Sequence, residues 1–279
     1  MTRGLILGAL LLLYALVVVP FTTYMRQRPV ALKLGYTPAG EALRLVASDQ
    51  RYLLAQLAVD RVLFYFGSLF TKDGHRVSTP PEYFNMFATM QSALKLDPYN
   101  MDAYYFTEAA FTWELKRIRE VNNMLDYGMK YRTWDAQLPF YAGFNAAYFS
   151  KDYRTASLYM QKAAELSGNP LYTTLASRYF YEAGQSALGI TFLRAMEQSA
   201  KDAKVKKIYQ VRRKALEGIT VISDALNRFR EARHTLPPDL KTLVREGFLS
   251  RIPEDPYGGT FYLDSKGKVV SSSKLAGKQ

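Results

Sequence analysis

The sequence contains no cysteine and only two histidines, His75 and His234, among its 279 residues. The lack of cysteine excludes disulfides, thiolate metal sites, c-type haem attachment and a cysteine nucleophile, but it does not identify the compartment. Because the two histidines lie far apart in sequence, we do not expect a histidine-based metal site or a catalytic triad. The sequence therefore predicts neither a metal nor another cofactor.

Motifs for catalysis are missing as well. The sequence has no Gly-rich phosphate loop, no His-Glu-x-x-His and no Gly-x-Ser-x-Gly. The carboxylates of the central region are spread around the predicted helices and are expected to be solvated: Asp102, Glu108, Glu114, Asp126 and Asp135. We therefore expect a protein that is not an enzyme and has no small-molecule substrate.

Positive charge exceeds negative charge, and the formal net charge is +12. Nucleic-acid binding needs a concentrated basic stripe, and the densest basic cluster of this chain lies at 201–213. A basic surface near anionic lipid headgroups explains the charge more simply. Nucleic acid is therefore not an expected partner.

Only one long apolar run is present, and it opens the chain. No charged residue occurs within 4–25, which is just long enough for a helix to cross a hydrocarbon core about 30 Å thick. A cleaved signal peptide is the alternative, but no Ala-x-Ala pattern follows the run, which ends at Val19, Pro20 and Phe21. We therefore predict an uncleaved signal anchor at 1–25, a single-pass segment of the inner membrane.

The charges flanking this run bear on its orientation. Only Arg3 and the α-amino group precede the run, whereas Arg26, Arg28 and Lys33 follow it, so the positive-inside rule favours a cytoplasmic C-terminal domain. A very short basic N-terminus ahead of an apolar run is, however, typical of secretory signals. We expect the C-terminal domain to be periplasmic, an interpretation that the C-terminal motif described below also favours.

A linker at 26–38 and a helical domain at 39–200 are predicted to follow the anchor. Apolar residues at helical spacing predict one long helix from about Ala39 to Leu69 with a broad buried face. Turn signals at 71–81, including Lys72-Asp73-Gly74-His75, separate it from a second helix at about 82–96.

Small and aromatic residues then recur with a period near 34. A unit starting at Met101 places Tyr104 and Phe111 at aromatic positions and Gly128 at a small one. The units at about 136–170 and 169–200 repeat the pattern, and a degenerate unit covers 63–98. This spacing resembles tetratricopeptide repeats, in which small residues let two antiparallel helices touch. The resemblance covers about half of the chain.

The tetratricopeptide resemblance implies an all-α fold, a right-handed α-solenoid of helix pairs. In that family the first helix of each pair lines a concave groove that binds a protein partner. By register the groove residues here would be Tyr105, Trp113, Phe140, Phe144 and Arg178. The alternative is that these aromatic side chains only pack between repeats.

The chain ends differently. A long helix at 201–233 is predicted to cap the repeats, and 234–279 is a separate segment with a β-hairpin at 260–264 and 268–272. The motif Leu240-x-x-Leu-Val-x-x-Gly-Phe-Leu249, followed by Ile252-Pro-x-Asp-Pro-Tyr-Gly258, resembles the globular part of type II secretion pseudopilins. The apolar run lies some 200 residues upstream, so assembly as a filament subunit does not follow.

Three functions fit these features. The favoured one is a membrane-anchored scaffold that binds a protein partner in bacterial envelope secretion or pilus-type assembly. The second is a non-catalytic structural subunit of a larger membrane complex, for which large exposed apolar patches would be evidence. The third, an enzyme or nucleic-acid module, has no site in the sequence to support it.

Overall fold

The fold was taken from a computed structural model, which describes residues 2–27, 33–70 and 80–273. The predicted turn at 71–79 and the end of the C-terminal segment, 274–279, lie outside the described residues. The described chain is mostly helical, with an apolar N-terminal helix and a small antiparallel sheet near the C-terminus, as predicted.

The helices and strands have the following bounds. The helices are α1 (Thr2–Gln27), α2 (Gly40–Ala47), α3 (Arg51–Ser68), α4 (Tyr83–Leu96), α5 (Met101–Thr107), α6 (Ile118–Met129), α7 (Gln137–Tyr148), α8 (Tyr153–Ser167), α9 (Pro170–Glu182), α10 (Ser186–Ser199), α11 (Ala203–Arg233) and α12 (Leu240–Arg245). The strands are β1 (Phe261–Leu263) and β2 (Val269–Ser271). A 3₁₀ turn (Ser48–Gln50) joins α2 to α3, and a π-helical segment (Glu108–Thr112) continues α5.

Helix α1 contains the apolar run. Its stretch Ile6–Tyr24 has a mean hydropathy of 2.3, and none of it is buried by the rest of the chain. The helix is thus long and apolar enough to span a membrane, a property that a signal sequence in this position would share.

The described part of the predicted linker is packed against the helical domain. Leu34 and Thr37 are buried, and the Thr37 hydroxyl lies 2.7 Å from that of Thr89 on α4. The Gly35 N–H donates to Glu82 at 3.2 Å, and Arg61 of α3 donates to the Leu34 carbonyl. The segment 33–39 is therefore packed against α3 and α4, whereas 28–32 lie outside the described residues.

The single helix predicted over 39–69 is wrong. The chain breaks at Ser48, whose φ of 44° no α-helix can accommodate, and a 3₁₀ turn separates α2 from α3. The break lets both helices pack on α4, with Ala47 and Ala55 meeting Leu96. Tertiary packing decides this break, because the apolar periodicity on either side is equally compatible with a continuous helix.

From α6 to α11, each helix packs on the next in sequence. The connection between α8 and α9 shows how neighbouring residues end one helix and start the next. Gly168 ends α8 with a φ of 65°, the Asn169 side chain accepts from the Leu171 N–H at 2.9 Å, and Pro170 occupies the first turn. So short a connection between two helices packed along their length makes them antiparallel.

The C-terminal segment packs on α11. The long helix and the segment after it share one apolar core, in which Gly218 faces Phe261 of the hairpin. The predicted hairpin is present over shorter strands, with Phe261 opposite Ser271. The Tyr181 hydroxyl of α9 donates to the Val269 carbonyl at 2.7 Å, which attaches the hairpin to the helical domain.

Helices α5 and α6 meet at a glycine. A Cβ on Gly128 would lie 2.6 Å from the ring of Tyr104, a fully buried side chain whose hydroxyl donates to the Pro98 carbonyl at 3.0 Å. Both partners are held, the ring by its hydrogen bond and the glycine by its helix. No side chain larger than hydrogen fits at this crossing.

Gly128→Ala should therefore destabilise the fold by about 1–3 kcal/mol, the usual cost of overpacking a core. The matched control is Gly67→Ala in α3, where an added Cβ would meet nothing within 4 Å. That control should gain up to about 1 kcal/mol from helix propensity. Denaturant unfolding of the full chain in detergent measures both changes, and equal effects would contradict the close crossing.

Candidate protein-binding surface

Aromatic rings from three successive parts of the helical domain form one continuous cluster, here called the aromatic surface. Trp113 follows the π-helical segment, α7 and its C-cap supply the central rings, and α9 supplies the last. Its members are Trp113, Phe140, Phe144, Tyr148, Phe149 and Tyr172.

The rings contact one another in the stacked, tilted and edge-to-face arrangements that aromatic pairs prefer. The Phe144 and Tyr148 rings stack with centroids 5.3 Å apart, and Trp113 meets Phe149 edge-on at 5.0 Å. Phe140 stacks on Tyr172 at 5.0 Å and so links α7 to α9. The geometry of the surface is thus held by its own ring contacts as well as by the helices.

This surface is partly core and partly solvent-facing. Phe140 and Phe144 are half-buried against the core of α8 to α10, whereas Trp113 is 45% exposed and Tyr148 is 52% exposed. Aromatic side chains are enriched at protein interfaces, and tryptophan and tyrosine are over-represented among the residues that contribute most of the binding energy.

Two lysines border the aromatic surface. The Lys116 ammonium lies 5.0 Å from the Phe149 ring centroid, and Lys151 lies 5.3 Å from that of Tyr148. Both lysines follow a helix end with positive φ, 56° and 54°, a conformation that costs a non-glycine residue about 1 kcal/mol. The positive rim would favour a partner with acidic groups beside an apolar face.

A buried carboxylate lies in the segment that precedes Trp113. Glu108, in the π-helical segment, is only 6% exposed and accepts from Asn145 of α7 at 2.7 Å and from Thr112 at 3.2 Å. Asn145 also donates to Asn122 of α6 at 3.0 Å, so one polar network joins three helices. Burial raises the pKa of Glu108, although both hydrogen bonds act in the opposite direction.

The expectation that the central carboxylates are solvated is thus wrong for Glu108. It is also wrong for Asp135, whose half-buried side chain pairs with Arg132 at 2.8 Å. A carboxylate at 108 in a helical pattern gives no local sign of burial. Its burial depends on neighbours from other helices, among them Asn145 of α7.

Of the five predicted groove residues, three lie in the aromatic surface and two lie outside it. Trp113, Phe140 and Phe144 lie together in the aromatic surface. Tyr105 is exposed on α5, close enough to Tyr141 to raise that phenol's pKa, after the larger effect of burial. Arg178 lies apart, beside Arg212 of α11.

Sequence reasoning missed three members of the surface, Tyr148, Phe149 and Tyr172. The signal for Tyr148 was present, because Phe140, Phe144 and Tyr148 follow one another at i, i+4 and i+8 and so share a helix face. Phe149 and Tyr172 carry no such local signal, since Phe149 lies just past the end of α7 and Tyr172 reaches the cluster from α9.

Comparison with known proteins found no match for this chain. No protein family, no curated protein and no solved structure matches the chain. Within the described residues, no group of three or more histidine, cysteine, aspartate or glutamate side chains could hold a metal ion.

The network at Glu108 predicts a pH-dependent stability. A carboxyl group whose pKa is raised on folding stabilises the folded state, and this contribution is fully present when the pH is below the pKa of the unfolded chain, near 4.5. The contribution is lost as the pH rises through the pKa of the folded state. Glu108→Gln keeps a hydrogen-bond acceptor and removes the charge. It should lessen the loss of stability above pH 4.5 by about 1.4 kcal/mol for each unit of pKa elevation.

Thermal unfolding of the full chain between pH 4.5 and 8 measures this difference. Glu254→Gln is the matched control, because Glu254 is exposed and has no described hydrogen bond through its side chain. Parallel profiles for the natural chain and Glu108→Gln would show that Glu108 does not titrate on folding.

Proposed function

We propose that this chain is a membrane-anchored scaffold that binds a protein partner on the aromatic surface. The observation that supports it most directly is the half-exposed aromatic cluster, which runs from the end of the π-helical segment across α7 to α9. Helix α1 would anchor the domain, and the lysine rim would select a partner carrying acidic groups.

The helical domain is proposed to be a right-handed solenoid of tetratricopeptide-like pairs. Three features favour this architecture: short connections between successive helices, the glycine crossing between α5 and α6, and the segment packed on α11 at the far end. In that arrangement α5, α7 and α9 are first helices, so the aromatic surface lies along the groove face of three units.

A role in envelope secretion or pilus-type assembly rests on the C-terminal motif. Asp255 is buried; it accepts the Tyr257 N–H at 2.9 Å and the Ser271 hydroxyl, and so ties the Asp-Pro-Tyr-Gly turn to β2. This gives the motif a structural purpose that fits a pseudopilin-like module. The domain would then lie in the periplasm of a bacterium, held to the inner membrane by α1.

A second function, as a permanent structural subunit, has its own observation. Helices α2 and α3 lie where a broad buried face was predicted, yet they expose large apolar side chains, among them Leu45 at 88% and Phe64 at 79%. The buried stripe of α3 is a different one, formed by Ala55, Val59, Val62 and Tyr65. An exposed apolar face of this kind would favour a lasting contact with another chain of a membrane complex.

Site-specific photo-crosslinking distinguishes the two functions. A photoreactive phenylalanine derivative would replace Tyr148 in the aromatic surface, Phe64 on α3, or Tyr262 on β1 as a matched aromatic control, each in the full chain in its native membrane. Mass spectrometry would identify the adducts. Secretion or pilus components captured through Tyr148 would support the scaffold, whereas a fixed-ratio adduct through Phe64 alone would favour the structural subunit.

Tyr148→Ala should lower the amount of co-purified partner at least about tenfold, because a central interface aromatic typically contributes more than about 1.4 kcal/mol. The control is Tyr262→Ala, which removes an exposed tyrosine from the hairpin. Quantitative mass spectrometry of gentle pull-downs measures the ratio. Equal partner recovery from both variants would count against the aromatic surface as the binding site.

Membrane orientation can be tested directly, because the natural chain has no cysteine to react. Leu158 is exposed on α8, so Leu158→Cys gives a single accessible thiol. A membrane-impermeant maleimide should label it in intact spheroplasts. Labelling only after lysis would place the domain in the cytoplasm and contradict the proposal.

A further inference from the structure

One arginine is buried at the junction between the helical domain and the C-terminal segment. Arg212 of α11 is 7% exposed, and its Nε donates to the Ser177 hydroxyl of α9 at 2.5 Å. The Tyr257 phenol also lies against the guanidinium. These neighbours are neutral, so they solvate the arginine partially and leave its charge uncompensated.

A second arginine adds to that charge. Arg178 follows Ser177 on α9 and is half-buried; its Nε is shielded from solvent and has no hydrogen-bond partner among the described residues. Burial lowers the pKa of Arg212, the Tyr257 phenol opposes this effect, and the positive charge of Arg178 lowers the pKa further by a smaller amount. The positive charges of Arg178 on α9 and Arg212 on α11 are thus near enough to repel each other.

Three carboxylates, on α9, on α10 and in the turn at Tyr257, have other partners. Glu182 pairs with Lys268 at 2.9 Å, Glu197 with Arg213 at 3.0 Å, and Asp255 with Ser271. Across the described ranges, no carboxylate forms an ion pair with either Arg178 or Arg212. A buried guanidinium without a counter-charge is destabilising, and a second positive charge nearby adds to the cost.

We propose that Arg178 and Arg212, with the Ser177 hydroxyl and the Tyr257 phenol, bind an oxyanion at this junction. The planar guanidinium fork matches the oxygens of a carboxylate or a phosphate, and two forks can hold one such group from two sides. The bound anion supplies the missing negative charge and links α9, α11 and the turn at Tyr257.

The site is separate from the aromatic surface and does not depend on the proposed function. Its oxyanion can be a free phosphate or a carboxylate of an acidic peptide, and both use the same recognition chemistry. The test therefore carries one probe for each source.

The experiment is thermal unfolding of the full chain in a non-ionic detergent. Sodium phosphate or a short polyglutamate peptide is added, and sodium chloride of equal ionic strength is the reference. At about ten times its dissociation constant, a specific anion should raise the melting temperature by about 3–5 °C beyond the chloride reference. The probe that raises the melting temperature identifies the source of the oxyanion, either free phosphate or a peptide carboxylate.

Arg178→Gln should abolish that rise, because one of the two forks is lost. Without anion, this variant should melt at or above the temperature of the natural chain, since a like charge has been removed; this distinguishes a ligand role from a packing role. Arg154→Gln is the control, because Arg154 is exposed on α8 and makes no described side-chain hydrogen bond. Arg212→Lys keeps the charge but loses the fork, and should weaken the rise.

A rise with either probe that disappears in Arg178→Gln and persists in Arg154→Gln would establish the site. No rise with either probe, or an equal rise in all variants, would overturn it. The photo-crosslinking result through Tyr148 has no bearing on this outcome, so the two proposals fail independently.

Discussion

The close crossing of α5 and α6 at Gly128 is the constraint on which the helical domain depends. Tyr104 fills the space that a side chain at 128 would need, and its hydroxyl is anchored on the Pro98 carbonyl, so the separation of the two helices is set from both sides. The polar network of Glu108, Asn122 and Asn145 then joins α7 to this pair. Once these three helices are in register, each later helix has one neighbouring face to pack against.

The aromatic surface follows from that register. The π-helical segment widens the last turn before Trp113, so the indole sits at an angle that an uninterrupted α-helix would not give it. It then meets Phe144 and Tyr148 of α7 and Phe149 at the end of that helix. A buried carboxylate in the same segment is costly, and the segment keeps it beside the surface proposed to bind a partner. Departures from regular helix geometry often accompany functional sites, and so do buried ionisable groups.

The C-terminal segment packs on the helical domain and contributes to its stability. It shares a core with α11, reaches α9 through Tyr181 and Val269, and brings the Tyr257 turn to Arg212. A long helix with one apolar face must be covered to be stable in water, and the segment provides that cover. The same junction leaves two arginines without a counter-charge, so stability there and anion binding are coupled.

The sequence by itself determined the features that are local. The apolar composition of α1, the Asn169-Pro170 helix start and the hairpin turn all follow from neighbouring residues, because backbone preference and capping act over a few positions. Tertiary structure decided the break at Ser48, the burial of Glu108, the exposure of Leu45 and Phe64, and the electrostatic effect of Arg178 on Arg212. Apolar periodicity shows that a helix has a face to bury, but which face is covered depends on helices far away in the chain.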